Sequence, residues 1–128
     1  MSQTTPLPST PGRFSRIQAI PLGDAKLLFI SGLAASGDTP PDTGKQTEIV
    51  FERIRVLLAE HGAEMKHLVK LTVFLADMRD YAKYNAVRNQ VFADVPVPPT
   101  SSAVEARLVA PEYLVEIEGI AYVPGAAA

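Results

Sequence analysis

The 128-residue chain suits one domain and leaves little room for a second, and its 47% hydrophobic and 20% charged residues are those of an ordinary folded protein. A net charge of −2 supplies no basic field for nucleic acid or an anionic membrane, and the lack of cysteine excludes disulfides, thiolate metal sites and a cysteine nucleophile. No apolar run approaches the roughly 20 residues of a spanning helix, and the start of the chain has no secretory signal pattern, so the cytoplasm is the expected location.

Residues 1–12, rich in Ser, Thr and Pro, read as a flexible arm, residues 13–124 as the single domain, and the tail at 125–128 as frayed. A first strand is expected over residues 14–20 and a second over 26–31, joined by a turn at Pro21-Leu22-Gly23-Asp24 to make a hairpin. Residues 32–44 form a loop. Thr43 and Gln46 have the spacing of a capping box, and Val50, Ile54 and Leu57 recur at helical intervals, which predicts a helix over residues 45–61 closed by Gly62.

Residues 68–76 alternate as a strand, with Val69, Leu71, Val73 and Leu75 on one face and Lys70, Thr72 and Phe74 on the other. Asp77 is placed to cap a second helix that carries Tyr81, Tyr84, Val87, Val91 and Phe92 and ends before Pro96. Two paired strands, over 102–109 and 113–122, complete a ββαβαββ order. That order predicts an α+β domain with one sheet backed by two helices. Glu116 and Glu118 alternate with Val115 and Ile117, while Ala103, Glu105 and Arg107 share a side. The sheet face away from the helices is therefore expected to be mixed, either a wet subunit interface or a solvated surface.

In that layout the chain resembles the Rid family (reactive intermediate deaminase, also called YjgF or L-PSP). The likeness runs from about Gly12 to Val123. It rests on Gly12-Arg13-Phe14-Ser15, Phe29-Ile30-Ser31-Gly32, Gln46-Thr47, the third strand through Asp77, Tyr84-Asn85, and Val115-Glu116-Ile117-Glu118-Gly119-Ile120-Ala121. The resemblance implies a chorismate-mutase-like fold and a homotrimer around a central barrel. It also implies ligand pockets between subunits and hydrolysis of enamines or imines, such as 2-aminoacrylate, without metal or organic cofactor.

Carried over residue by residue, the resemblance makes Glu116 the catalytic group that positions water. It places Phe14, Ser31, Asn85, Ser101 and Ser102 around the substrate. Phe14 stands where deaminase members commonly carry tyrosine. Thr100 stands where they carry an arginine, and a single neutral hydroxyl cannot make the bidentate charge-assisted bond of a guanidinium to a carboxylate. Arg16 and Arg107 are the cations weighed as replacements, Arg16 being the better placed.

The expected function is a small-molecule pocket at a subunit interface that hydrolyses an enamine or imine other than the standard 2-imino acids. The alternative is a non-catalytic binding or regulatory protein of the same fold. His61 and His67 lack metal-ligand spacing. Ribonuclease activity, attributed to relatives of the family, finds neither a basic patch nor a histidine pair here.

Overall fold

The computed structural model describes residues 7, 10 and 12–125. Most of the N-terminal arm and the last three residues lie outside the described residues, although Leu7 packs against the core. The elements are β1 (Ile17–Leu22), β2 (Ala25–Leu33), α1 (Thr43–Glu60), β3 (Leu68–Leu75), α2 (Tyr81–Val91), β4 (Thr100–Glu105) and β5 (Val115–Val123), with single 3-10 turns at Met65–His67 and Met78–Asp80. The expected ββαβαββ order holds. One five-stranded sheet, ordered β1-β2-β5-β3-β4, carries both helices on one face.

The hairpin is tighter than expected. Leu22 pairs with Ala25, so the turn is Gly23-Asp24 alone, with Gly23 at φ +64. Pro21 sits inside β1, which an edge strand tolerates. Asp42, not Thr43, caps α1: its carboxylate accepts the Lys45 N–H at 2.9 Å. Thr43 is freed to donate to Asp80 at 3.2 Å, tying the two helix starts together. Gln46 is wholly buried and donates to the Pro40 and Glu112 carbonyls at 2.8 and 3.0 Å, while accepting from the Leu114 N–H at 2.9 Å. It fastens the approach to β5. Gly62, at φ +70, ends the helix as expected, with Ala63 N–H donating to Leu58 O and Gly62 N–H to Ala59 O. Asp77 caps the 3-10 turn that leads into α2 rather than α2 itself.

The last strands differ most from expectation. β4 spans Thr100–Glu105 and runs parallel to β3; it does not pair with β5. Both edges of β5 are taken, by β2 and β3. The α2 crossover delivers β4 to the free edge of β3, which makes the pair parallel. Ala103 and Glu105 consequently face the helices: Ala103 packs on the core, and the Glu105 carboxylate accepts the Met78 N–H at 2.8 Å. Val69 leaves the apolar face because the register slips between Leu68 and Lys70, and it stands 46% exposed.

The core lies between sheet and helices. Phe51 of α1 meets Tyr84 (stacked, 6.3 Å between ring centres) and Phe92 (edge-on, 5.6 Å). No helix among the described residues is long and apolar enough to cross a membrane.

Candidate functional site

Glu116 projects from the start of β5 onto the open face, in register with Phe74 of β3. On its other side β2 breaks register between Ile30 and Leu33, and the break holds Ser31 and Gly32. A Cβ at Gly32 would collide with the Glu116 carboxylate, so glycine is what lets that side chain lie against β2. Glu116 is half-buried and makes no hydrogen bond or ion pair among the described residues. Burial, reinforced by the neighbouring charge of Glu118, raises its pKa above the ordinary carboxylate value. A raised pKa makes the carboxyl a stronger base than an ordinary carboxylate, suited to taking a proton from water and returning it.

Ser31 stands beside it but is already engaged. Its hydroxyl donates to the Ser15 carbonyl at 2.6 Å and its N–H to the Arg16 carbonyl at 2.8 Å. This pins the segment carrying Phe14 and Arg16 to the Glu116 end of the sheet. Phe14 is half exposed there.

Thr100, Ser101 and Ser102 lie on the far edge strand. Register places Thr100 beside Lys70 and Ser102 beside Thr72, on the open face. Ser101 is beside Leu71, on the helix side, so the three hydroxyls do not converge. The Thr100 hydroxyl donates to the Val69 carbonyl at 3.1 Å. Asn85, on α2, accepts from Arg88. Two strand spacings of about 4.8 Å and four residues of rise at about 3.3 Å put the Thr100 and Glu116 Cα atoms roughly 16 Å apart across the sheet. In one chain, then, the predicted residues fall into two groups: Phe14, Arg16, Ser31 and Glu116 at one end, and Asn85, Thr100, Ser101 and Ser102 at the other.

Neither proposed replacement cation adjoins Thr100 within the chain. Arg16 precedes β1, at the opposite edge of the sheet. Arg107 lies past the end of β4, in a groove with Glu105, Pro111 and Tyr113. The open face carries instead a groove of about 460 Å³ whose lining includes Gln18, Phe29, Ser31, Lys70, Thr72 and Glu118. Lys70 has no carboxylate within ion-pair distance among the described residues. Sequence reasoning also missed Arg53, which is buried in α1. Its guanidinium donates to the Ala34 and Ser36 carbonyls at 2.8 and 2.7 Å, and burial lowers its pKa against the opposing charge of Asp38. Its sequence signal is an arginine three residues from Val50 and four from Leu57, on the core stripe. Among the described residues no group of three or more His, Asp or Glu could hold a metal ion.

The sequence model of the family described as Endoribonuclease L-PSP matches residues 6–123. A RutC family protein of Pyrococcus abyssi is 35% identical over 113 residues, covering 82% of this chain and 84% of that one. The putative reactive intermediate deaminase TdcF of Escherichia coli is 29% identical over 110 residues, covering 82% and 84%. A YjgF/YER057c/UK114 family structure from Mycobacterium tuberculosis superposes with a TM-score of 0.72 at 32% identity, covering 86% of each chain. A Pseudomonas aeruginosa protein of unknown function reaches 0.81 at 29%, covering 93% of this chain and 88% of that one.

Proposed function

We propose the function from one premise: the chain belongs to the Rid (YjgF, L-PSP) family. It is a hydrolase of an enamine or imine, working in a pocket completed by a second copy of the chain. The observation that carries this reading is Glu116, an unpartnered, half-buried carboxyl of raised pKa held against Gly32. Water attacks the C=N carbon as Glu116 takes its proton. The proton passes to nitrogen, the carbinolamine collapses, and ammonia leaves as the C=O bond forms. The separation of Thr100 from Glu116 supports assembly, because a molecule of a few heavy atoms cannot touch both in one chain. A homotrimer that sets the β4 edge of one copy against the Glu116 end of another would unite them. Glu116→Gln should lower turnover about 100- to 10,000-fold, read as ammonia release from a panel of imines; unchanged turnover would remove Glu116 from the mechanism.

Thr100 narrows the substrate. Without a guanidinium there, clearance of 2-iminopropionate should be slow, and Thr100→Arg should speed it about tenfold or more. Fast clearance by the native chain would refute this. A second reading, ligand binding without turnover, draws on the Ser31 and Thr100 hydroxyls, both committed to backbone carbonyls; a bound imine recovered intact would select it. RNA cleavage is not expected. Nδ1 of His61 lies 3.2 Å from the Leu57 carbonyl, and Nδ1 of His67 accepts the Glu64 N–H, so both rings serve turns.

A further inference from the structure

We propose that Arg53 of α1 is a positioning residue for Glu116: its guanidinium clamps the chain as it leaves β2, and so holds the bulge at Ser31 and Gly32 against the carboxyl. The catalytic consequence rests on the hydrolase reading above; the clamp itself does not.

Stability alone does not explain an arginine at this position. Arg53 is 4% exposed and charged, yet no carboxylate lies within ion-pair distance of it among the described residues. Its Nε is buried without a hydrogen-bond partner. Burying a cation and leaving a donor unpaired both oppose folding. An apolar side chain between Val50 and Leu57 would complete the core stripe without either penalty. What the guanidinium supplies in return is a fork on the backbone. One terminal nitrogen donates to the Ala34 carbonyl at 2.8 Å and, at 3.4 Å, to the Ser36 hydroxyl; the other donates to the Ser36 carbonyl at 2.7 Å. Bonds from a charged donor are the strong ones.

The clamped segment continues directly from the bulge. β2 loses register after Ile30 and regains it at Leu33, opposite Ile117. A bulge disrupts the ladder and bends its strand, so its shape depends on what holds its two ends. On the near side, Ser31 is tied to the Ser15 and Arg16 carbonyls. On the far side, Arg53 holds Ala34 and Ser36, with Ala35 wholly buried between them and Gly37, at φ +85, turning the chain away. Gly32 lies between the two anchors, and it is the residue whose Cβ would meet the Glu116 carboxylate. The bulge is therefore the wall of the Glu116 site on the β2 side. The charge that Glu116 feels is that of Glu118 on its own strand. Arg53 acts on it through the wall and not through its field.

Titration of the Glu116 carboxyl by ¹³C NMR, with its signal assigned by Glu116→Gln, tests this. Arg53→Gln frees the wall and admits water, so the Glu116 midpoint should fall toward the ordinary value of 4.5. Arg53→Lys, which keeps the charge but not the fork, should show a smaller fall. Ile54→Val, the next residue of the same helix and also buried, should lower the melting temperature and leave the midpoint where it is. In imine hydrolysis, Arg53→Gln should lower kcat about 10- to 100-fold with KM changed less than about threefold. An unmoved midpoint in a folded Arg53→Gln protein, or an equal fall in Ile54→Val, would overturn the proposal. A midpoint that falls in Arg53→Gln, although the native chain hydrolyses no imine, would uphold the clamp and refute the hydrolase reading, so the two fail separately. Should the Gln protein not fold, Arg53→Lys decides the matter by the same titration.

Discussion

On the helix side of β3 and β5, Leu71, Val73, Leu75, Val115 and Ile117 are wholly shielded from solvent. One residue along, on the other side of the same strands, Lys70, Thr72, Phe74, Glu116 and Glu118 keep access to it. The shielded side is uniform in chemistry because only apolar groups are stabilised by leaving water. The open side sets Phe29, Val104 and Tyr122, each more than 40% exposed, among carboxylates, hydroxyls and an amine. Such a surface contributes little to holding one chain together. It can afford a carboxyl whose charge is disfavoured, which the shielded side could not hold without a partner. Stability and candidate chemistry are thus divided between the two faces of one sheet.

The sharpest test of this division compares a deletion on each side. Leu71→Ala should cost about 2–5 kcal/mol of unfolding free energy, because it opens a cavity in a packed core. Val104→Ala should cost less than about 0.5 kcal/mol in the dissociated chain, as a surface change does. Urea denaturation at low protein concentration measures both, and similar losses would erase the distinction. Next in size is Val104→Lys. If copies of the chain cover the open face, it should weaken their association about tenfold or more while leaving the far-ultraviolet circular dichroism unchanged. Sedimentation equilibrium reads the change, and an unaltered association would place the interface elsewhere.

The smallest effect is in pH. Glu116 has a folded-state pKa above its ordinary value of 4.5, so the folded chain binds more protons between those two values. Relative to Glu116→Gln, its contribution to stability is complete below the ordinary value and is lost as pH rises through the folded one. The native chain should therefore lose stability against the Gln variant as pH rises from the ordinary carboxylate value through the raised, folded-state one. Unfolding free energies measured across that window should diverge in that sense, and parallel curves would mean that Glu116 is not perturbed.

Much of the fold was legible in the chain. Alternation in β5 assigned Val115 and Ile117 to one side and Glu116 and Glu118 to the other, as observed. The Val50, Ile54 and Leu57 stripe located α1, and Gly62 its end. The candidate site was legible only in its members. The hydroxyl run at 100–102 suggested a single lining, but strand pleat sends Ser101 to the side opposite Thr100 and Ser102.

The residue pattern by itself determined which side chains avoid water and which elements they form, because periodicity is a local property of the backbone. It also carried the family likeness, including the threonine at position 100. Only the tertiary structure decided that β4 runs parallel to β3, that Val69 turns outward, that Gly32 makes room for Glu116, and that the two groups of candidate residues stand apart in one chain. These depend on which strand edges remain free and where the register slips, and both are settled by contacts between residues distant along the chain.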